Sequence, residues 1–323
     1  MEVSFKGPFS ELLSDFIRFK RSMGFKYVRE AEHLKRFSEF SLKFDQKEHS
    51  LTKEITDAWS AKRPYENRRN GTEQRITALR QFALYLVSMG HNAYIPIHTE
   101  NKKSRKSKYV AYVYTHDQIR KIIEASDRIY PHRRSTMHIV MPVLVRLLYS
   151  TGMRIMEALK IQMKNVDLAS GILKIENAKF DKDRLIPLSE SMFEILKAYC
   201  KVMHESFLPD DYLFVGITRE PYSHHNIYWR FRELLLLAGI PHAGRGSGPR
   251  VHDLRHTFAC HTLQEASKRN VDLYAALPIL STYMGHESIQ ATSQYLRMTA
   301  EVYPEIKYAV SAVCSYIIPE VSI

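Results

Sequence analysis

Val251 to Cys260 reads VHDLRHTFAC, which sets His252 and Arg255 three residues apart and His256 at the i+4 position from His252. On a helix, residues at these spacings share a face. Leu254, Phe258 and His261 fall on the opposite face, while Ala259 and Leu263 continue the His252 side, so beyond its first turn the predicted helix is apolar over most of its girth. Such a helix belongs in a core. An imidazole and a guanidinium at its start gather donors, free backbone N–H groups and the positive end of the dipole in one place, which suits a phosphate.

Two further stretches are built to meet it. Ser150 to Leu159 reads STGMRIMEAL, where Gly152 can end one helix in a left-handed cap and Arg154 falls in the first turn of the next. Tyr283 to Tyr295 reads YMGHESIQATSQY, with His286 just past a glycine and Tyr295 on the helix that follows. Between them, Asp167 to Leu188 changes period: Ile172, Leu173 and Ile175, then Leu185, Ile186 and Leu188, flank the polar turn Lys179-Phe180-Asp181-Lys182. That pattern predicts a hairpin with lysines at its tip.

These elements resemble the signature of the tyrosine recombinases, the phage-integrase family: Arg, a hairpin Lys, His-x-x-Arg, Gly-His, then Tyr. The positions that match are Arg154 with Glu157, Lys179 in AKFDKDRLIPL, His252 with Arg255, His286 and Tyr295. A lone HxxR would mean little, but five motif elements in one order make coincidence improbable. The resemblance runs from about Thr115 to Met298 and is looser in the first hundred residues. It implies a mainly α fold with a small β-sheet: a helical (SAM-like) core-binding DNA-binding domain over residues 1–98, a basic linker at 99–111 and a catalytic domain at 112–323 with a C-terminal tail at 303–323. It also implies a homotetramer on double-stranded DNA recombination sites, exchange of the C-terminal tail between protomers, accessory DNA-bending or directionality proteins, and no cofactor. Departures from the family pattern are small: Cys260 stands where many members have threonine, and Ala291-Thr292 where paired threonines are common.

Composition narrows the class independently. The 323 residues suffice for two domains with sizeable cores. There is no run of about 18 uncharged apolar residues and no signal-peptide pattern at MEVSFKGPFS, so a soluble, cytoplasmic, nucleoid-associated protein is expected. Cys200, Cys260 and Cys314 are widely spaced and odd in number, which reads as free thiols. Net charge is +12, and residues 1–110 hold 22 basic against 13 acidic side chains, leaving 25 against 22 for the remainder. Within that first part, NKKSRKSKYV supplies Lys102, Lys103, Arg105, Lys106 and Lys108 with no acid. The block reads either as a nucleic-acid contact or as a solvated linker.

Four helices are predicted before the linker: Phe9 to Met23, Tyr27 to Phe44, one capped by Thr52 and running through Trp59, and one capped by Thr72 and closing before Gly90. Arg75 and Arg80 fall on the outer face of the fourth, with Arg68 and Arg69 just before it. They are placed to meet DNA, or else form a solvated face. Thr115 with Gln118 gives a capping box that opens a helix through Ala125, Met137 to Tyr149 is an apolar helix, and helices are expected over Ser189–His204 and Ser223–Gly239 with a strand-like Tyr212–Val215 between them.

Breaking a phosphodiester without metal needs a nucleophile, neutralisation of the nonbridging oxygens and a proton for the leaving oxygen. By resemblance, Tyr295 is the nucleophile that forms a 3′-phosphotyrosine, Arg154 and Arg255 bind the nonbridging oxygens and Lys179 protonates the departing 5′-oxygen. His286 donates to the phosphate, His252 serves as base or orienting group, and Glu157 orients Arg154 from behind. Lys182 competes with Lys179 for the hairpin role. Three rivals remain open: a type IB topoisomerase with the same covalent chemistry, a non-catalytic DNA-binding protein of the same fold, and a zinc hydrolase using His252 and His256. Asp253, where HExxH sites carry Glu, argues against the last.

Overall fold

The computed structural model describes residues 3–44, 50–61, 69–97, 111–176, 183–242, 244, 248–286 and 289–302. The chain divides into two compact units, 1–106 and 107–323.

The first unit is a bundle of α1 (Ser10–Ser22), α2 (Val28–Ser41), α3 (Lys53–Ser60) and α4 (Arg69–Ser88). Phe9, Phe16, Phe37, Trp59 and Phe82 are fully buried at its centre and meet through tilted and edge-on ring contacts. Thr52 caps α3 by accepting from the Ile55 N–H at 3.4 Å. The fourth helix starts at Arg69 and not at the expected cap, Thr72. Asn70 and Gly71, poor helix formers, place the start signal too late, and the helix is carried through them.

In the second unit α5 (His116–Asp127) opens with the expected Thr115–Gln118 capping box. It packs on α6 (Met137–Thr151), which is buried along most of its length and stops at Gly152, φ +60°. α7 (Ile155–Ala158) follows, and then a three-stranded antiparallel sheet, β1 (Val166–Asp167), β2 (Ile172–Ile175) and β3 (Arg184–Pro187), in that spatial order. In the β2–β3 register Leu173 pairs with Ile186 and Ile175 with Arg184. Serines 189 and 223 cap α8 (Glu190–Met203) and α9 (His224–Leu237). Tyr212 to Val215 makes isolated bridges to Gln162 and Pro221 and no strand, which corrects the strand-like reading. The chain then enters α10 (Asp253–Lys268), α11 (Leu273–Met284) and α12 (Ile289–Val302).

α10 is the central element of this unit, packing on α6, α11 and α12. Its Leu254, Ala259, Cys260 and Leu263 are buried. Cys200 and Cys260 are free, buried thiols, and Cys314 lies outside the described residues. Among the described residues no helix is long and apolar enough to cross a membrane.

Candidate active site

The start of α10 keeps the expected shared face: His252, the N-cap, has helical backbone angles and its ring meets that of His256 at 4.9 Å. His252 is exposed at the mouth of the site, and Arg255 is buried. The Arg255 guanidinium donates through Nη1 to the Gly152 carbonyl and through Nη2 to the Met284 carbonyl, each at 2.7 Å. Those carbonyls close α6 and α11, so the buried cation sits at the negative ends of two helix dipoles. Burial, and then the nearby Arg154, lower its pKa to about 10, which leaves it charged at neutral pH. A guanidinium fork carries more N–H donors than these two carbonyls use, and Arg255 also hydrogen-bonds Tyr295.

Arg154 caps α7, reaching Glu157 Oε1 with Nη1 at 2.6 Å and the Gly285 carbonyl with Nη2 at 3.2 Å. The Glu157 carboxylate also accepts from the Arg154 backbone N–H at 2.9 Å and from Arg184 Nη2 at 2.7 Å. Burial works to raise the Glu157 pKa; the Arg184 hydrogen bond and charge, joined by Arg154, outweigh it and hold the group at about 2. Arg184 further donates from Nε to the Tyr283 carbonyl at 3.0 Å. It therefore ties the hairpin to both Glu157 and the turn that presents His286.

Gly285, φ +65°, ends α11 in the left-handed conformation that glycine adopts without strain, and His286 is set directly after it. Its Nδ1 pairs with Thr292 Oγ1 at 2.7 Å, and its ring lies nearly parallel to that of Tyr295 with centroids 5.7 Å apart. Burial, and then Arg255 and Arg154, push the His286 imidazole down to about 4. Tyr295 is only 2% exposed, with its hydroxyl 3.1 Å from His256 Nδ1. Burial raises the phenol pKa, and the charge of Arg255 works against that.

The fold thus gathers Arg154, Glu157, Arg255, His286 and Tyr295 in one cluster, with His252 at its mouth. Lys179 and Lys182 lie outside the described residues, in the stretch of sequence between β2 and β3, whose register pairs Ile175 with Arg184. Two residues of the cluster have no role in the recombinase reading of the sequence: Arg184, and His256, which enters there only as a ligand in the zinc alternative. Ile186 is buried, and period 2 along β3 sends Arg184 to the same face, a signal masked by the equally apolar Leu185 beside it. The i+4 spacing put His256 on the expected face, but nothing local identifies its partner.

The DNA-facing residues expected in the first unit fare differently. Arg75 is a correction: it is 3% exposed, stacked over the Trp59 ring at 5.0 Å and donating to the Ala61 carbonyl at 3.3 Å. Its aliphatic stem and flat guanidinium suit a half-apolar slot, and burial there overrides the outward reading of the helix face. Arg80 is half-buried and donates to the Pro96 carbonyl at 2.7 Å. Arg68, Lys102, Lys103, Arg105, Lys106 and Lys108, and the side chain of Arg69, lie outside the described residues. Among the described residues no His, Cys, Asp or Glu cluster could hold a metal.

Comparison with known proteins gives this chain its class. The phage integrase family model matches residues 113–301. The integrase/recombinase candidate y4rB of Sinorhizobium fredii is 30% identical over 308 residues, spanning 92% of this chain and 95% of the relative. The tyrosine recombinase XerA of Pyrococcus furiosus is 29% identical over 192 residues, 58% of this chain and 57% of the relative. Among solved structures, the Tn1549 transposon integrase in complex with a circular intermediate DNA aligns with TM-score 0.61 and 14% identity, over 88% of this chain and 94% of that one. XerH bound to its palindromic difH substrate aligns at 0.60 with 19% identity, over 94% and 84%. A lambda integrase tetramer bound to a Holliday junction aligns at 0.59 with 18% identity, over 88% and 76%. These three share the fold. The chain belongs to the phage integrase family and is a tyrosine recombinase, an enzyme of DNA strand breakage and rejoining.

Proposed function

We propose that this recombinase cuts and rejoins DNA at specific sites through a 3′-phosphotyrosine on Tyr295 and resolves a Holliday junction, in the integration, excision or resolution of a mobile or circular DNA. The observation that carries the reading is the clustering of a buried Tyr295 with Arg255, His256 and His286. Arg154 and Arg255 neutralise the nonbridging oxygens, work that planar, permanently charged forks do without a metal. Lys179 protonates the leaving 5′-oxygen, His286 donates to the phosphate, and His252 orients it from the exposed mouth. The covalent bond conserves the phosphodiester energy, so rejoining needs no cofactor.

Residues 1–98 act as the core-binding domain, and the basic block from Lys102 to Lys108 contacts backbone phosphates whatever the sequence. The active assembly is a homotetramer on two duplexes in the cytoplasm at the nucleoid, with accessory DNA-bending or directionality proteins as partners. Residues 303–323, outside the described residues, carry Tyr308, Val310, Val313, Tyr316, Ile317 and Ile318. So much apolar surface needs cover, which a neighbouring protomer supplies in a ring. Deleting 306–323 should then spare single-site binding and reduce synapsis.

The deciding experiment selects bound fragments from genomic DNA and offers them as nicked suicide substrates. Tyr295→Phe should bind as wild type and form no covalent adduct, and the wild-type adduct should survive EDTA. An adduct that persists in Tyr295→Phe moves the nucleophile elsewhere.

A further inference from the structure

His256 is the imidazole whose ring nitrogen the fold brings to the Tyr295 hydroxyl, beside the Arg255 guanidinium. Its Nδ1 lies 3.1 Å from the Tyr295 hydroxyl, within hydrogen-bond range. The other two histidines of the cluster are engaged differently. His286 offers Tyr295 a ring face, and its Nδ1 already pairs with Thr292. His252 meets His256 edge to face at 4.9 Å, remaining exposed at the mouth of the site. Both Glu157 oxygens are taken by arginines. We propose that His256, and not His252, accepts the Tyr295 proton during cleavage and returns it during rejoining; this rests on the reading of Tyr295 as nucleophile.

The step balances with the groups present. The Tyr295 O–H bond breaks and an N–H bond forms at His256 Nδ1, which requires the tautomer with its proton on Nε2. The phenolate oxygen attacks phosphorus, the bond to the 5′-oxygen breaks, and that oxygen leaves with a proton from Lys179. On rejoining, the 5′-hydroxyl attacks and gives its proton back to Lys179, the phosphotyrosine bond breaks, and His256 returns its proton to the phenol oxygen. Burial, followed by the charges of Arg250 and Arg255, keeps the imidazole neutral near pH 7, so it is free to accept. Arg255 stands one residue earlier on α10 and next to Tyr295, where it favours the phenolate. One rigid helix therefore supplies both the phosphate-binding guanidinium and the base, and docking α12 against α10 arms the tyrosine.

The test measures single-turnover adduct formation on a nicked suicide substrate by wild type, His256→Ala, His256→Asn and Tyr295→Phe, with folding followed by thermal melts. His256→Ala should bind DNA normally and form adduct about 10²–10⁴-fold more slowly, a range typical of lost acid–base catalysis. Added imidazole should recover part of that loss. Asparagine can keep a hydrogen bond to the hydroxyl but cannot take its proton, so His256→Asn should be slow as well. A wild-type rate in His256→Asn, or no imidazole rescue in a folded His256→Ala, would overturn the assignment and make His256 a packing residue. If wild type forms no adduct, or Tyr295→Phe does, it is the nucleophile that has been misplaced, and the proposal falls with it.

Discussion

Arg184 reaches from β3 to the carboxylate of Glu157, with Nη2 2.7 Å from Oε2 and Nη1 3.3 Å from Oε1. Both side chains are nearly buried, at 10% and 7% exposure, so the pair is desolvated and cannot be dismissed as a surface contact. Glu157 shares the same carboxylate with Arg154, which makes it the link between the start of α7 and β3.

Glu157→Gln removes the one anion between two guanidinium groups, and a buried pair broken this way costs about 3–5 kcal/mol. Arg184→Ala leaves Glu157 its partner Arg154 and should cost less, about 1.5–3 kcal/mol for the charged hydrogen bonds removed. Denaturant unfolding of both variants gives the order; a larger cost for Arg184→Ala would mean that the Tyr283 carbonyl contact dominates. Arg184→Lys should restore little, since lysine lacks the planar fork that spans all three oxygens.

Gly152→Ala should be severely damaging. Its φ is +60°, and an added Cβ would lie 2.2 Å from Phe258 Cδ1. The same residue supplies the carbonyl that holds Arg255 Nη1. We expect about 1–3 kcal/mol of destabilisation from overpacking, together with slower adduct formation. Adding Phe258→Ala should recover part of the stability in a double-mutant cycle, and strict additivity would show that the clash is not the cause.

Arg75→Ala should behave as a core substitution. Removing the Trp59 stacking and the Ala61 hydrogen bond should destabilise the first unit by about 1–3 kcal/mol. The salt dependence of DNA affinity should hardly change. A lowered slope with unchanged stability would put this guanidinium on phosphate after all.

Stability should fall with acid in a defined window. His256, His261 and His286 are each depressed to about 4 from 6.5, with burial the first cause in all three. The unfolded chain then binds more protons between these values, so their contribution is complete above 6.5 and is lost as pH falls toward 4. Glu157, at about 2 against 4.5, contributes nothing to the slope until the pH is below 4.5. Melting temperature should decline across the histidine window. His261→Gln should flatten that decline, because His261 is buried against the Tyr149 hydroxyl at 2.8 Å and stacked on His116 at 3.8 Å.

Replacing Lys102, Lys103, Arg105, Lys106 and Lys108 with glutamine should weaken binding to all DNA sequences alike. The slope of log K against log salt should fall by about 0.9 for each phosphate that the block no longer neutralises. An unchanged slope would leave the block as a solubilising linker.

What the sequence determined by itself about this protein lies within a few residues along the chain. Thr52, Thr115, Ser189 and Ser223 cap helices because a hydroxyl can reach an N–H three residues on, and Gly152 and Gly285 end helices because they lack a Cβ. At longer range, motif order, through its resemblance to the family signature, pointed to Arg154, Arg255, His286 and Tyr295 as partners. Only the tertiary structure decided which imidazole reaches the Tyr295 hydroxyl, since His256 and Tyr295 are 39 residues apart and meet only through the packing of α10 against α12. The same holds for Arg184 and Glu157, 27 residues apart, and for Arg75, which helix periodicity places on an outer face and the Trp59 ring draws into the core. Helix and strand periods say which way a side chain points from its own axis; what it meets there depends on how neighbouring axes cross, and that is set by side-chain packing distant in sequence.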